Sequence, residues 1–329
     1  MRNRVAMAVV IAALVAMWGS SLIYCEMTKP SGGQEWQSQH VDGAEWANCV
    51  ATGASGRAAV AYSHGGLFLT KDGGKTWTAS NTGMKKCRVD SALFLSNNTV
   101  VAGSGRGIYR STDGGAHWKL IPIKAPNLSV GSLACGSAGR IYAGDDAARV
   151  LVSEDGGLHW QMLQFPGKGG DICSMACDSN GNVFAYQESG GVWRSSDGGR
   201  NWQPAQTFGG DYCYGAVAVS AHGVVFADNL KCIMMSRDHG VNWKRVMLPE
   251  KHFKCRGIST SKTGAVFVIT DNGCFEGDED GDSWRPLNVH LRGLLITTAP
   301  SISGAKFADD GRLLAADYHG GIYQSRRRY

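Results

Sequence analysis

Tryptophan returns through this chain at an almost constant interval, at positions 77, 118, 160, 202, 243 and 284, in steps of 41, 42, 42, 41 and 41 residues. Five of these close the same eight-residue pattern, S/T-x-D-x-G-x-x-W: Thr70 to Trp77, Ser111 to Trp118, Ser153 to Trp160, Ser195 to Trp202 and Ser236 to Trp243. A sixth copy, Gly277 to Trp284, keeps Gly281 and Trp284 but has Glu279 in the aspartate position. One step back from Trp77 falls on Trp36. One step on from Trp284 falls on Ser325, just before Arg326-Arg327-Arg328-Tyr329. A fixed period near 40 marks a repeat architecture, and this length suits a four-stranded propeller blade.

Each unit has the same internal grammar. In the fourth, Ile172 to Ala176 reads as a first strand and Asp178-Ser179-Asn180-Gly181 as a turn. Asn182 to Tyr186 is a second strand and Gly191 to Ser195 a third, and Trp202 opens a fourth beyond the Asp-Gly-Gly hairpin. Short β-rich runs separated by Gly, Asn and Asp turns, with no helical periodicity between them, predict an all-β chain. The 45 glycines supply turns, and only 8 prolines exclude a collagen-like or Pro-rich chain. The last unit stops after a third strand, Gly321 to Ser325, while an orphan fourth strand surrounds Trp36. Pairing the two removes both exposed edges. The expectation is a seven-bladed β-propeller of four-stranded antiparallel blades, closed by the N-terminal strand and spanning residues 26–329.

Residues 1–25 read as a targeting segment. Arg2 and Arg4 precede an uncharged stretch from Val5 to Tyr24, about long enough to span a bilayer. A retained anchor, a cleaved signal and a lipidated Cys25 share one outcome: basic residues stay inside and the rest is exported. Beyond that segment, 33 Lys and Arg against 28 Asp and Glu give a net charge of +5, spread too thinly for a protein that grips phosphate backbones.

The repeated pattern has a structural chemistry of its own. Its aspartate can accept backbone N–H groups across a tight hairpin, its glycine supplies positive φ, and its tryptophan packs between blades. A carboxylate needed in blade after blade is a staple, so Asp72, Asp113, Asp155, Asp197 and Asp238, with Trp77, Trp118, Trp160, Trp202 and Trp243, are assigned structural roles. These copies resemble the Asp-box, or BNR, repeat over nearly all of the exported chain. Asp-box propellers include sialidases, xyloglucan-degrading glycosidases, sorting-receptor ectodomains and the photosystem II assembly and stability factors. Sialidases need an arginine triad and usually an Arg-Ile-Pro. Here the nearest approach is Arg140-Ile141-Tyr142, in the third blade. Xyloglucanases set two propellers across a cleft. A single membrane-targeted seven-bladed propeller is most similar in architecture to the photosystem factors, which implies a non-catalytic protein-binding role in the assembly or stability of a membrane complex. The alternative is a carbohydrate-active propeller, either a glycoside hydrolase or a lectin-like binder.

The hairpins carrying the boxes share one face. The loops joining second to third strands, and the crossovers between blades, share the other, and there the charges sort unevenly. His319, His64 and Arg106 occupy the second-to-third loops of blades 7, 1 and 2. His319 and His64 sit in matching His-Gly-Gly turns. Lys85, Lys86 and Arg88 lead into blade 2, His252, Lys254 and Arg256 into blade 6, and Arg292 into blade 7. The candidate binding set is therefore His64, Lys86, Arg88, Arg106, His252, Lys254, Arg256, Arg292 and His319, suited to an acidic or carboxylate-bearing protein segment. Trp46, Phe253, Tyr212 and Tyr214 lie near the same mouth as candidate anchors. Asp145, Asp146, Glu188, Asp228 and Asp271 line the loops of blades 3 to 6. Asp145 with Asp146, or Asp171 with Asp211, is the carboxylate pair a glycosidase would need. His64 and His319 lack a third ligand, and Asp278, Glu279, Asp280 and Asp282 read as a solvated hairpin, so neither a metal nor a cofactor is expected.

Nine cysteines follow Cys25. Cys213 and Cys232 in blade 5, and Cys255 and Cys274 in blade 6, repeat a 19-residue spacing and form the candidate disulfides, although a strand intervenes in each pair. Cys135 and Cys177 occupy matching positions in blades 3 and 4 and are candidates to bridge neighbours.

Overall fold

A computed structural model of the 329-residue chain describes residues 36–95, 98–206, 215–229, 232–249, 253–271, 273–287 and 302–329. The expected targeting segment, residues 1–25, lies outside them. Among the described residues, no helix is long and apolar enough to cross a membrane. The strands form seven separate four-stranded antiparallel sheets, whose strands are lettered A to D from the axis outward. Blade 1 comprises Glu45–Thr52, Ala58–His64, Gly66–Thr70 and Thr78–Ala79, and blade 2 Val89–Phe94, Val100–Ser104, Gly107–Ser111 and Lys119–Leu120. Blade 3 comprises Val130–Cys135, Ile141–Asp145, Val150–Ser153 and Gln161–Leu163, and blade 4 Ile172–Cys177, Val183–Gln187, Gly191–Ser195 and Gln203–Gln206. Blade 5 comprises Val217–Val219, Val225–Asp228, Ile233–Ser236 and Lys244–Val246, and blade 6 Cys255–Thr260, Ala265–Thr270, Gly273–Asp278 and Arg285–Leu287.

Blade 7 takes Ile302–Phe307, Arg312–Asp317 and Gly321–Arg328 from the end of the chain, and Trp36–His40 from its beginning as strand D. Trp36 lies opposite Ser325 and His40 opposite Gly321. The A strands of successive blades touch one another all the way round, including blade 7 with blade 1. The chain is thus an all-β seven-bladed propeller closed by its N-terminal strand.

Burial follows from this stacking. Each sheet is sandwiched between two others, so strand B is apolar on both sides rather than alternating. Val60, Ala61 and Tyr62, and likewise Val100, Val101 and Ala102, have no exposed surface. The apolar clusters straddle blades, and each box tryptophan sits in the cluster joining its own blade to the previous one: Trp118 between blades 1 and 2, Trp202 between 3 and 4, Trp243 between 4 and 5.

Strand A carries a second regularity. In blades 1, 2, 3, 4, 6 and 7 its pairing with strand B slips by one residue near the crossover end, at Asn48, Asp90, Gly131, Cys173, Arg256 and Ser303. Such a bulge leaves one residue out of the ladder and re-aims it. The next residue in each blade is small (Cys49, Ser91, Ser132, Ser174, Gly257 and Gly304), and the Ser132 hydroxyl donates to the Ile172 carbonyl of the next blade (2.8 Å).

The boxes are hydrogen-bonded hairpins. The Thr70 hydroxyl donates to Asp72 Oδ1 (2.7 Å), which also accepts the Lys75 and Thr76 N–H groups (2.9 and 3.0 Å), while Oδ2 accepts the Thr76 hydroxyl (2.6 Å). Gly73 and Gly74 take φ of 77° and 86°, open to glycine and costly to other residues. The sixth box departs as its sequence does. Asp278 Oδ1 accepts the Asp280 and Gly281 N–H groups (3.1 and 3.0 Å), and Glu279 reaches His222 of blade 5 instead (2.7 Å).

These bonds favour ionised carboxylates. Desolvation pushes Asp155 upward, but the His159 N–H and ring, the Ser153 hydroxyl and the Leu158 N–H outweigh it and hold its pKa at about 2. Asp197 is also held at about 2, desolvation being outweighed by Asn201, Ser195 and Arg200. A folded-state value below the unfolded ~3.9 contributes stability that is complete above about pH 4 and lost as pH falls towards about 2. Asp155→Asn with Asp197→Asn is expected to lower the melting temperature at pH 6, with the gap to wild type closing between about pH 4 and 2. A gap independent of pH in thermal melts would assign the effect to packing.

The expected Cys255–Cys274 disulfide is corrected by the structure. Cys255 lies opposite Thr270 and Cys274 opposite Ile269, both partners on strand B, which therefore stands between them. Two strand spacings of ~4.8 Å exceed disulfide reach. Both thiols are free, and burial pushes Cys274 up to about 12. Cys232, Cys135 and Cys177 are also free, so the expected bridge between blades 3 and 4 is not formed. Cys213 lies outside the described residues.

Candidate functional site

The crossover face is built from the turns joining strands B and C and from the links between blades. Many of these turns are capped by the last residue of strand B. Asp317 Oδ1 accepts the His319 and Gly321 N–H groups (both 2.8 Å), and its Oδ2 accepts the Tyr323 hydroxyl (2.6 Å). Asp145 Oδ1 accepts the Ala147 and Arg149 N–H groups (3.0 and 2.8 Å), and its Oδ2 accepts from the Arg149 guanidinium (2.5 Å). Asp145 and Asp228 are each 1% exposed. The sequence shows these carboxylates, but burial removes them from the surface.

Lys86, Arg88, Arg106, Lys254, His64 and His319 are exposed, and Arg256 is half-buried at its bulge. His252 and Arg292 lie outside the described residues, as do Asp211, Tyr212 and Tyr214. Arg88 pairs with Asp90 (2.8 Å), the bulge residue of blade 2. Burial raises the Asp90 pKa, and Arg88 partly opposes that shift. The Asn48 amide, at the bulge of blade 1, donates to the Val89 carbonyl (2.9 Å) and to Asp90 (3.2 Å), and accepts from the Ser63 hydroxyl (3.0 Å). Arg88 therefore ends a polar chain that crosses from blade 2 into blade 1. Asn48 and Asp90 escaped the sequence reading; the only signal was the small residue following each bulge. Lys254 is anchored through its backbone, its N–H donating to Asp271 (2.7 Å).

Acidic groups gather near Arg88 and Asp90 on the same mouth. Asp171 is raised by burial, then by Glu188 and Asp146, and Arg88 lowers it. Asp145, spent on Arg149 and its own turn, is not available to Asp146 as a catalytic partner. Phe253 is 4% exposed within the cluster joining blades 5 and 6, so it is core rather than anchor. Among the described residues, no cluster of three His, Cys, Asp or Glu side chains is arranged to hold a metal ion.

The two His-Gly-Gly turns flank the closure of the ring. The crossover at Val41–Ala44, leading from Trp36–His40 into blade 1, lies against both. A Cβ on Gly65 would stand 2.9 Å from the Gly43 carbonyl oxygen, and one on Gly320 would stand 2.7 Å from that of Ala44. Val41 N–H donates to the Gly320 carbonyl (3.0 Å), and Trp46 N–H to the Tyr318 carbonyl (2.8 Å). Trp46, 58% exposed, is thereby held between His64 of blade 1 and Tyr318 of blade 7.

No protein-family model matches the chain, and no curated protein matches it in sequence. Solved structures match its fold. YCF48 bound to D1 peptide superposes with a TM-score of 0.72 at 15% identity, covering 90% of this chain and 98% of that one. A catalytically inactive virginiamycin B lyase from Staphylococcus aureus with Quinupristin gives 0.73 at 12% identity, covering 88% and 99%. An ancestral GH74 enzyme gives 0.69 at 20%, covering 90% of this chain and 46% of that one. A binder and two enzyme structures thus share this architecture, and at such identities the likeness is one of fold alone.

Proposed function

We propose that the chain is an exported, membrane-associated propeller that catalyses nothing and holds a protein partner on its crossover face, as an assembly or stability factor for a membrane complex. The observation that carries this reading is a separation of charge by burial. Lys86, Arg88, Arg106 and Lys254 stand exposed on that face, while Asp145, Asp228 and Asp317 are withdrawn beneath it. A partner presenting an acidic or carboxylate-bearing segment would meet these cations where Asp145, Asp228 and Asp317 no longer oppose them, with the exposed Asp146, Asp171 and Asp271 left on the same face to limit where it can dock. The D1 peptide bound to YCF48 supports a peptide as the kind of ligand a propeller of this architecture takes.

The test is affinity capture from solubilised native membranes with wild type and a Lys86→Ala, Arg88→Ala, Lys254→Ala, Arg256→Ala variant. Wild type is expected to recover a specific protein that the variant loses, with affinity falling about tenfold or more as salt rises from ~50 to ~500 mM. Recovery unaffected by either change would place the contact elsewhere.

A carbohydrate-active reading draws on one observation of its own: Asp90 and Asp171, both raised, share a mouth with Asp146 and Glu188, and a raised carboxyl is what a glycosidase uses as its acid. It expects hydrolysis on a glycoside panel that Asp171→Asn abolishes.

A further inference from the structure

Trp46 combines two features that folding alone disfavours. Its φ is 60°, in the left-handed region that bulky residues avoid. Its indole is also 58% exposed, the one aromatic among the large apolar side chains exposed to this degree in the described residues. Glycine at this position would relieve the strain. Both costs are retained where the ring closes, with the Trp46 N–H tied to the Tyr318 carbonyl of blade 7.

The surroundings indicate what such a side chain meets. His64 stands at 89° to the indole with ring centroids 6.2 Å apart, and Tyr318 at 78° and 6.5 Å. These edge contacts from two blades hold the exposed indole in place, and an aromatic π-face carries the negative potential that attracts a cation. The crossover that delivers Trp46 carries two exposed carboxylates, Asp42 and Glu45. Glu45 lies opposite His64 in the A–B pairing. The other titratable groups nearby are His40, 3.7 Å from Asp42, and the exposed His319. An aromatic corner flanked by carboxylates matches a large, weakly hydrated cation better than it matches an anion or a neutral ring.

We propose that Trp46, Tyr318 and His64, with Glu45 and Asp42, form a binding site for a quaternary or methylated ammonium group at the seam of blades 7 and 1. It is a different site from the basic one on blades 2 and 6, of opposite charge preference, so either can stand without the other. Full closure of the propeller is required to assemble it, because Tyr318 and His64 come from blades that meet only there.

The experiment uses the full chain labelled with 5-fluorotryptophan, the Trp46 resonance being assigned by its loss in Trp46→Phe. Tetramethylammonium and choline are titrated against the neutral isostere 3,3-dimethylbutanol. Saturable shifts of the Trp46 signal are expected at millimolar cation, at least about tenfold weaker with the isostere and severalfold weaker in Glu45→Gln. Trp46→Gly, which lacks the reporter ring and is read by isothermal titration calorimetry beside wild type, is expected to abolish binding while its melting temperature holds or rises, since strain is released. A fall in melting temperature would mark Trp46 as structural and overturn the proposal. Equal response to the isostere, or none to either cation at ~50 mM, would do the same. Phosphatidylcholine and phosphatidylglycerol vesicles separate the sources. Free-cation binding with phosphatidylcholine capture supports a lipid headgroup, and without capture a soluble ligand. Capture of vesicles with no response to free cation overturns the site.

Discussion

Deleting residues 1–40 is expected to lower the melting temperature by roughly 10 °C and to shift the protein towards oligomers. The five residue pairs from Trp36–Ser325 to His40–Gly321 are lost, at a net contribution of about 1 kcal/mol for each hydrogen bond and ~2–4 °C per kcal/mol for a chain of this size. The larger consequence is topological. Without strand D, blade 7 presents the unpaired edge of Gly321–Ser325, a template for another chain. The crossover residues Val41 and Ala44, part of the cluster shared by blades 7 and 1, lose their tether. Calorimetry and size-exclusion chromatography read both effects, and a synthetic peptide of residues 34–42 should restore part of the loss. A truncated protein that melts with wild type and stays monomeric would mean that the seam holds through strand A contacts alone.

The second large effect is expected from Gly115→Ala, in the box of blade 2. Gly115 has φ of 92°, and a Cβ there would fall 2.0 Å from Leu69 Cδ1 and 2.9 Å from the Ser80 hydroxyl, both in blade 1. That hydroxyl also accepts the Trp118 indole N–H (3.1 Å), so the new methyl disturbs the tryptophan lodged between the two blades. Left-handed strain of about 1–2 kcal/mol and overpacking of about 1–3 kcal/mol act together. The sum corresponds to a melting temperature lower by roughly 5–15 °C. Gly139→Ala is the control: φ is 73°, but nothing lies within 4 Å of the added carbon, so only the strain applies. If the two variants melt alike, the box hairpin does not bear on its neighbour as the geometry indicates.

The architecture was legible because a propeller repeats its requirements. The 41-residue step, the orphan strand at Trp36 and the missing fourth strand after Ser325 are enough to count blades and close the ring, and Trp36 indeed lies opposite Ser325. The site was legible only in part, because residue type does not disclose burial or backbone angle. Asp145 reads as a surface charge until it is found beneath its own turn. Cys255 and Cys274 invite pairing until strand B is seen between them. The matched His-Gly-Gly turns were visible, but their purpose, to seat the Val41–Ala44 crossover, needs the closed ring. Nothing in the letters announces that Trp46 has positive φ. The bulges hide because polar-then-small pairs such as Asp90-Ser91 look like ordinary strand alternation.

Those bulges give a symmetric object an asymmetric address. Six of the seven blades repeat the same slip of main chain, so backbone alone distinguishes those six poorly. The slipped positions differ in chemistry from blade to blade: an amide at Asn48, a carboxylate at Asp90, bare backbone at Gly131, a thiol at Cys173 and a guanidinium at Arg256. None takes part in the ladder of its own blade, although Asn48 bonds across to Val89 and Asp90 of blade 2. A ligand that reads this circle of side chains would find its rotations unequal, and substitution at Arg256 would test that choice of orientation without touching the Asn48–Asp90 bridge between blades 1 and 2.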